Sequence, residues 1–573
     1  MDYAKVKFCE NHRGFTYTLK TARLTKMAAT VGSHVLQDLD IDSIVTALPT
    51  FTEAGNAALK ERLSHPVTDP AELDRRQLQI RQMKQLCKSK ETKATIADLR
   101  KTLKEHEEDV KSVGEAAADK RHAEYYTQIL WPSDSFWAWL NKLDWFSEAV
   151  ILFRTILLPG LSIILPMFVL IAPLIFYSAL TKEPLSFEGY FSVLNDSLKK
   201  VMPSMLGKPR FTGTGGILEM GEQFVHIGIG IAMFVASIWN QVSAALAMRA
   251  VVADMRRRAE AVLTFSRTAT DLAAALGQPF EASLVNWIPG QMGLFGHAWN
   301  EPERITALLK AAGELDLLAA LAITKRTCFP SVGSSMVLTD LYHPGLSSGQ
   351  RVYNSLTLDP TASGTKKNHV LLTGPNRGGK STLIKSIGTA VLMAQTVGIV
   401  FARSATLPVF QNIITALAPQ DIIGKLSLFE AEIEFAKEVI ALLANTKGPT
   451  FLMMDEIFHG TNAHDGVEAS QVFLDRLYAT QRSVFSIVST HYMDLPARYG
   501  SSSKEGQKAT TQNLCMDASV DPKDPDRLVY TYRVTEGVNK YSSVKEILQE
   551  RGLFLARPCG LPPQKTKEVV SKV

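Results

Sequence analysis

The segment 373–382 constrains this chain more than any other, because its sequence, Thr-Gly-Pro-Asn-Arg-Gly-Gly-Lys-Ser-Thr, is the pattern of a phosphate-binding loop. The apolar stretch 369–372 precedes it and predicts a strand, and residues 383–385 continue it into a helical pattern. Glycines let backbone N–H groups turn toward phosphate oxygens, and the N-terminus of the following helix adds a favourable dipole. The sequence therefore predicts a nucleotide site. The residues assigned to it are Gly374, Pro375, Asn376, Gly378, Gly379, Lys380, Ser381 and Thr382.

Two acidic residues behind a second apolar stretch complete the pattern. Residues 450–454 predict a buried parallel strand, which Asp455 and Glu456 follow directly. Asp455 is expected to hold Mg²⁺ together with the hydroxyl of Ser381. Glu456 is expected to polarise the attacking water as a general base.

A third strand is predicted at 483–490, and His491 closes it. If this strand runs parallel to the other two, His491 lies at the same edge of the sheet and can sense the γ-phosphate. Lys380 is expected to reach the β- and γ-phosphates. The catalytic residues predicted from the sequence are Glu456, His491 and Lys380.

The composition excludes few classes of protein. The 573 residues suffice for several domains, and the net charge of +5 neither requires nor excludes a nucleic-acid partner. The five cysteines lack the spacing of metal ligands, so reduced thiols in a cytosolic compartment are expected. The N-terminal sequence has no apolar core of a signal peptide. Secretion is therefore not expected.

Two uncharged runs, at about 155–181 and 223–248, are each long enough to cross a bilayer, which takes about 20 apolar residues. Four of the seven tryptophans precede the first run, where an interfacial aromatic belt belongs; they are Trp131, Trp137, Trp139 and Trp145. The pattern predicts a two-helix transmembrane hairpin, and the alternative is a pair of long core helices in a soluble protein. Because ATP is cytosolic, a two-pass protein would keep both termini and the nucleotide domain in the cytoplasm, with 182–222 on the far side.

The nucleotide-binding motifs together resemble those of the MutS family of DNA mismatch-repair ATPases. The similarity runs from the phosphate-binding loop to the strand and turn at 532–541. Between them, the segments similar to the family are 394–402, 421–432, 454–466 and 489–492. The sequence departs from the family pattern at Arg377, where methionine is usual, at Phe458-His459 and at Asn462.

The resemblance implies an α/β P-loop NTPase domain of ABC type that acts as an ATPase in a homodimer, with ATP and Mg²⁺ as cofactors. In this family, residues of both subunits complete each nucleotide site. Ser427 would reach the γ-phosphate of the nucleotide held by the partner copy, and Tyr353 would lie near the adenine. A helix N-terminus presented by a second subunit stabilises transition-state charge only when the two subunits close. Hydrolysis would therefore depend on the geometry of the dimer.

The resemblance also orders the rest of the chain. After an N-terminal segment, 1–35, residues 36–150 resemble the family's mostly α-helical core and ascending lever, and 251–340 resemble the returning lever and core. The ATPase domain would occupy 341–573. The transmembrane hairpin, 151–250, would replace the clamp that grips DNA in the family. The residues before the core are too few for the family's mismatch-recognition domain, so any DNA binding is expected not to be mismatch-specific.

The preferred interpretation is a membrane-anchored MutS-family ATPase that handles DNA in repair or recombination. One alternative is an ATP-gated membrane tether or scaffold for a protein partner, without mismatch recognition. Another is a soluble mismatch-repair protein. An ABC transporter is rejected, because the transporter-like motif at 346–351 precedes the phosphate-binding loop instead of following it.

Overall fold

The computed structural model describes residues 33–118, 126–132, 134–164, 216–360, 367–417, 428–480, 483–499 and 511–553, with the single positions 168, 175 and 179. The chain divides into two units. The sheet unit comprises Met1–Ala47, Lys60–Gln79 and Lys325–Val573. The helical unit comprises Leu48–Leu59 and Ile80–Thr324.

The described strands all belong to the sheet unit. In chain order they are β1 (Ser331–Val332), β2 (Met336–Leu341), β3 (Asn354–Leu358), β4 (His369–Thr373), β5 (Ser404–Leu407), β6 (Asn412–Ala416), β7 (Thr450–Met454), β8 (Val484–Ser489), β9 (Thr511–Asp521) and β10 (Asp524–Glu536).

The described α-helices begin before the strands and then alternate with them. In chain order they are α1 (Ser33–Asp38), α2 (Ile41–Ala47), α3 (Glu53–Ser64), α4 (Pro70–Leu86), α5 (Lys90–Ala118), α6 (Asp144–Ile164), α7 (Gly216–Ala275), α8 (Ala282–Val285), α9 (Gln291–Asn300), α10 (Pro302–Ile323), α11 (Lys380–Thr396), α12 (Leu428–Asn445), α13 (Ala463–Tyr478), α14 (Asp494–Tyr499) and α15 (Val544–Glu550). A 3₁₀ helix, Ala138–Lys142, precedes α6, and α6 contains a π-helical turn at Phe153–Leu157.

A six-stranded sheet in the order β10-β9-β4-β8-β7-β6 forms the centre of the sheet unit. All neighbours in it are parallel except β9 and β10. Every residue of β4, β7 and β8 is buried, as parallel strands covered on both faces should be. These are the three strands predicted from the sequence. Because they are parallel, the loops that follow them meet at one edge of the sheet.

Helix α11 is buried along most of its length, and glycine allows its close approach to the sheet unit's core. A Cβ added at Gly388 would lie 2.5 Å from the Leu39 side chain and 2.7 Å from that of Met453. A methyl group there would therefore require the ends of the Leu39 and Met453 side chains to shift. A smaller sheet, in the order β1-β5-β2-β3, completes the strands of this unit.

The helical unit is organised by three long helices, since α5 packs against both α7 and α10. Apolar residues recur on the inner face of α5 at Ile96, Leu103 and Val110, and all three are buried. Helix α7 has 60 residues and continues without a break through position 250, where the sequence predicted a domain boundary.

A buried ion pair ties distant parts of the helical unit together. Arg100 and Asp316 are almost completely excluded from solvent, and Arg100 Nε donates to Asp316 Oδ1 over 2.6 Å. Asp316 Oδ2 also accepts from the backbone N–H groups of Phe51 and Thr52, both over 2.9 Å. The carboxylate therefore satisfies the start of α3 while it neutralises the guanidinium.

Among the described residues, two helices are long and apolar enough to cross a membrane: α6 and the part Phe234–Ala275 of α7. Only 22% and 17% of their most apolar windows are buried, whereas the core helix of a soluble protein is mostly buried. The predicted second run lies within α7. The predicted first run begins in α6, and most of its residues beyond 164 lie outside the described part of the chain.

Candidate nucleotide-binding site

The phosphate-binding loop lies between β4 and α11, as the sequence predicts. Gly374 and Gly379 have positive φ angles of 149° and 94°, which side-chain-bearing residues rarely adopt. A Cβ at Gly378 would also lie only 2.9 Å from the carbonyl oxygen of Pro375. The loop therefore requires glycine at these positions in order to curl.

Lys380 is the first residue of α11, and its side chain points back into the loop. It is only 5% exposed, and its Nζ donates to the carbonyl oxygen of Gly374 over 3.0 Å. Burial lowers the pKa of Lys380, against the opposing influence of Glu456 and Asp455. A buried ammonium group at a helix N-terminus is a strong attractor for a polyphosphate.

The two predicted carboxylates follow β7, and a serine at the end of β8 connects them. Ser489 is fully buried; its Oγ donates to Asp455 Oδ1 and accepts the backbone N–H of Glu456 over 2.9 Å. Glu456 has a φ of 53°, a left-handed conformation that is uncommon for such a residue and is typical of functional sites. Sequence reasoning gave Ser489 no role of its own, although its position at a strand end was a usable signal.

His491 brings the predicted catalytic residues into contact with one another. Its Nε2 lies 2.8 Å from Glu456 Oε1 and 3.3 Å from Lys380 Nζ. The hydrogen bond from His491 is the main cause that holds the pKa of Glu456 below its ordinary value, in opposition to burial. Glu456 is therefore kept as a carboxylate, the form that a general base needs.

Replacing His491 by alanine is expected to move the acid limb of the kcat/KM profile to higher pH. The base must be deprotonated, and His491 lowers the pKa of Glu456, so its loss raises the pH at which Glu456 becomes protonated. The measurement is ATPase kcat/KM across the acidic range. His464→Ala, an exposed histidine on α13, serves as the control. An unchanged acid limb in the His491 variant would contradict the assignment.

A cavity of about 590 Å³ opens beside the loop, within the size range of small-molecule sites. Glu456 and the loop contribute one wall, and the segment before β3 contributes another. Its lining includes Pro375, Asn376, Arg377, Gly379, Lys380, Ser381, Thr382, Arg351, Val352, Asn354 and Tyr532.

Tyr353 is placed differently from its two neighbours. Val352 and Asn354 line the cavity, whereas the Tyr353 ring packs edge-on against Tyr342 at 5.5 Å, and its hydroxyl accepts from Arg326 over 3.2 Å. Tyr353 is not among the described residues that line the cavity, and its place near an adenine stays a prediction.

Tyr532, which sequence reasoning did not single out, lines the cavity instead. Its φ is 57°, it lies at an irregularity in β10, and its ring carbon would be 3.3 Å from a Cβ at Gly379. Asn354 holds the strand there, because its side chain accepts from Val534 N and donates to the carbonyl oxygen of Tyr532. Tyr532 therefore presents an aromatic face next to the phosphate-binding loop.

The turn at 537–541 is fastened to the end of β4 by a buried asparagine. The backbone N–H of Asn539 donates to Thr373 Oγ1 over 3.1 Å, and its side chain donates to the carbonyl oxygen of Met516 over 2.9 Å. Sequence reasoning had noted this turn only as part of the family pattern. The contact shows that the turn positions the start of the phosphate-binding loop.

The positions at which the sequence departs from the family pattern have defined contacts. Arg377 forms an ion pair with Glu550 on α15. His459 Nδ1 lies 3.0 Å from Glu432 Oε1, and Phe458 is buried in the core. Asn462 is the N-cap of α13 and accepts the N–H of Asp465 over 3.0 Å, a role that asparagine and serine share. Ser427, predicted to act on the partner's nucleotide, lies outside the described residues.

The parallel sheet, the glycine loop at a helix N-terminus and the acidic residue after a neighbouring strand define an ABC-like P-loop nucleotide-binding domain. The family model for MutS domain V, the ATPase domain in this family, matches residues 370–563. Residues 370–563 therefore carry the ATPase domain of the MutS family.

Curated relatives agree with this assignment. The chain is 31% identical to the DNA mismatch repair protein MutS of Exiguobacterium sp., over 33% of this chain and 22% of that protein. It is 28% identical to MutS of Thermotoga neapolitana, over 45% of this chain and 31% of that protein. It is 29% identical to the DNA mismatch repair protein spellchecker 1 of Drosophila melanogaster, over 42% of this chain and 26% of that protein. The chain thus matches less than a third of the length of each of these relatives.

The residues present fit ATP and Mg²⁺. The buried ammonium of Lys380 and the curled loop suit a polyphosphate, and the Ser381 hydroxyl and Asp455 carboxylate are the hard oxygen donors that Mg²⁺ prefers. Within the described residues there is no cluster of three or more histidine, cysteine or acidic side chains that could hold a metal. Mg²⁺ needs none, since it binds through one or two side chains and the substrate phosphates.

Proposed function

We propose that this protein binds ATP and hydrolyses it in a MutS-type site. The observation that carries the proposal is the contact of three residues beside the cavity: Lys380, Glu456 and His491. Glu456 and His491 follow the parallel strands β7 and β8, and Lys380 begins α11, the helix that follows β4. A structural ion pair would not require the strained backbone of Glu456 or the glycine-dependent curl of the loop.

Each residue then has one task. Lys380 places its charge against the β- and γ-phosphates, where negative charge develops. Glu456 accepts a proton from the attacking water, and His491 orients its carboxylate. Ser381 and Asp455 hold Mg²⁺, which supplies positive charge to the phosphate oxygens when bound.

The assembly we propose is a homodimer that acts on DNA. The match to the ATPase domain of the MutS family supports both parts, and the relatives bear the name of DNA mismatch repair proteins. In this dimer Ser427 completes the site of the partner copy, so turnover depends on closure of the two subunits.

We propose that the protein is located in a membrane, which it crosses twice, and that the sheet unit lies in the cytoplasm. Low burial of α6 and of the apolar part of α7 supports this over a soluble core pair. The second candidate function is an ATP-gated tether for a protein partner. It is favoured by α7, because the apolar part of this helix is continuous with the part that packs against α5 in the helical unit.

The hydrolytic part is tested by ATPase assays on purified, detergent-solubilised protein with Mg²⁺. We expect turnover, stimulated by homoduplex, mismatched or branched DNA. Turnover without stimulation by any of these would favour the tether. Absence of turnover would overturn the hydrolytic part of the proposal, and absence of nucleotide binding as well would overturn the whole of it.

The membrane part is tested by alkaline carbonate extraction of membranes from cells that express the full chain. We expect the protein to remain in the pellet and to be released only by detergent, since two apolar helices resist extraction. A peripheral membrane protein marker, released by carbonate, is the control. Recovery of the protein in the soluble fraction after lysis would refute the anchor.

A further inference from the structure

Residues 131–145 carry an unusual density of exposed aromatic side chains. Phe136 is 83% exposed, Trp145 is 68% exposed, and Trp131, Trp137 and Trp139 are between 40% and 53% exposed. The Phe136 and Trp137 rings meet edge to face at 5.3 Å, and the Trp131 and Trp137 rings are 6.4 Å apart. Three of the rings therefore form one contiguous patch. We call this patch, together with Trp139 and Trp145, the aromatic platform.

A buried amide network holds the platform rigidly in place. The side chain of Asn141 is almost completely buried; it accepts from the backbone N–H of Trp131 and donates to its carbonyl oxygen, both over 2.8 Å. It also donates to Asn300 Oδ1 over 3.0 Å, and Asn300 in turn donates to the carbonyl oxygen of Ala138 over 2.7 Å. A fully satisfied buried polar network specifies one conformation.

The far end of the platform is fastened just as firmly. Asp144 Oδ1 accepts the N–H groups of Met292 and Gly293 at the start of α9, over 3.0 and 2.9 Å. A Cβ at Gly296 would lie only 2.0 Å from the carbonyl oxygen of Asn141, so α9 touches the platform's backbone. The backbone that carries the aromatic rings is thus fixed against α9 at both Asn141 and Asp144.

We propose that the aromatic platform lies in the headgroup layer of a lipid bilayer, parallel to its surface. This inference rests on the proposed membrane anchor and adds a second, interfacial contact to it. Tryptophan favours that layer because its ring is apolar and its N–H remains hydrogen-bonded. The platform runs directly into α6, whose exposed face consists largely of Leu152, Ile156, Leu157, Leu161 and Ile164.

The position of Arg154 agrees with this depth. It is exposed on α6 among apolar residues, nine positions after Trp145. Nine helical residues rise about 14 Å, which is comparable to one headgroup layer plus the reach of an arginine side chain. Helical side chains tilt toward the N-terminus, so Arg154 extends toward the platform side and keeps its charge in the headgroups.

The test measures the depth of individual tryptophans in the full chain, reconstituted into phosphatidylcholine–phosphatidylglycerol vesicles. The lipids carry bromine, a fluorescence quencher, either near the headgroup or near the chain end. Single Trp→Phe variants show which residue contributes the quenched signal. Trp239, 71% exposed on the apolar part of α7, reports the span, and the buried Trp287 and Trp299 are internal controls.

We expect Trp137→Phe and Trp139→Phe each to reduce the quenching by shallow bromine and to leave the quenching by deep bromine largely unchanged. Trp239→Phe should do the reverse, and the Trp287 and Trp299 variants should change neither. Quenching at Trp239 without quenching at Trp137 and Trp139 would overturn the platform while the anchor stands. Absence of quenching at all three would overturn both. A change in the fluorescence of Trp137 and Trp139 that depends on the protein concentration and not on the lipid would identify an interface between copies of the chain. That result would also overturn the placement of the platform in the bilayer.

Discussion

Replacing Glu456 by glutamine is expected to lower ATP turnover about 10²- to 10⁴-fold, the usual contribution of a general base. Binding of ATP should be retained, because the phosphate-binding loop and Lys380 are left intact. Glutamine preserves the size of the side chain and a hydrogen-bond acceptor for His491, so the contact at 2.8 Å has a substitute. What it loses is the ability to accept the proton of the attacking water.

The measurement pairs turnover with equilibrium binding of a fluorescent ATP analogue. Glu468→Gln, the same change at an exposed position on α13, is the matched control and should leave both unchanged. Lys380→Ala should instead weaken binding itself, because it removes the buried charge that faces the phosphates. Wild-type turnover in the Glu456 variant would show that another group activates the water.

The centre of the sheet unit follows directly from the sequence. Residues 369–372 and 450–454 are mostly apolar runs, and 483–490 combines β-branched and aromatic residues with serines; these segments form β4, β7 and β8. Such runs are strong signals because parallel strands are buried on both faces. The strands' order then explains why Lys380, Glu456 and His491 meet, although they are far apart in the chain.

The supporting residues of the site could not be predicted in the same way. Ser489, Asn539 and Tyr532 act through positions that only tertiary structure defines. Tyr532 faces the cavity because β10 is irregular there and its φ is positive, and neither feature is encoded by a local pattern that allows prediction. The ion pair of Arg377 with Glu550 joins residues 173 positions apart, so no local pattern could have paired them.

The helical unit contains one helix that spans a predicted boundary. The boundary between the membrane hairpin and the lever at 250 stays a prediction, and α7 is continuous through that position. Helical geometry depends on local hydrogen bonds, and these continue unchanged while the exposed face changes from apolar to charged. The change from apolar to charged residues therefore marks a change in the surroundings of α7 and does not mark the end of the helix.

Replacing Asp316 by asparagine is expected to destabilise the helical unit by about 3–5 kcal/mol, the usual effect of breaking a buried ion pair. Arg100 would keep its charge in a site where its side chain is 1% exposed, without the carboxylate that neutralises it. The N–H groups of Phe51 and Thr52 would also lose a charged acceptor. Hydrogen exchange at residues 48–59 is the suitable measurement, since it reports local opening without assuming two-state unfolding of the whole chain.

Two further variants separate charge burial from simple loss of a contact. Lys101 follows Arg100 on α5 and forms an exposed ion pair with Glu105. Lys101→Ala removes this pair and should lower the free energy of unfolding by only about 0–1 kcal/mol. The double variant Arg100→Met, Asp316→Leu should recover much of the loss, because apolar side chains of similar volume remove the need to neutralise a buried charge. If the double variant were less stable than Asp316→Asn, the pair would stabilise the unit through its hydrogen bonds to the start of α3 and not through charge neutralisation.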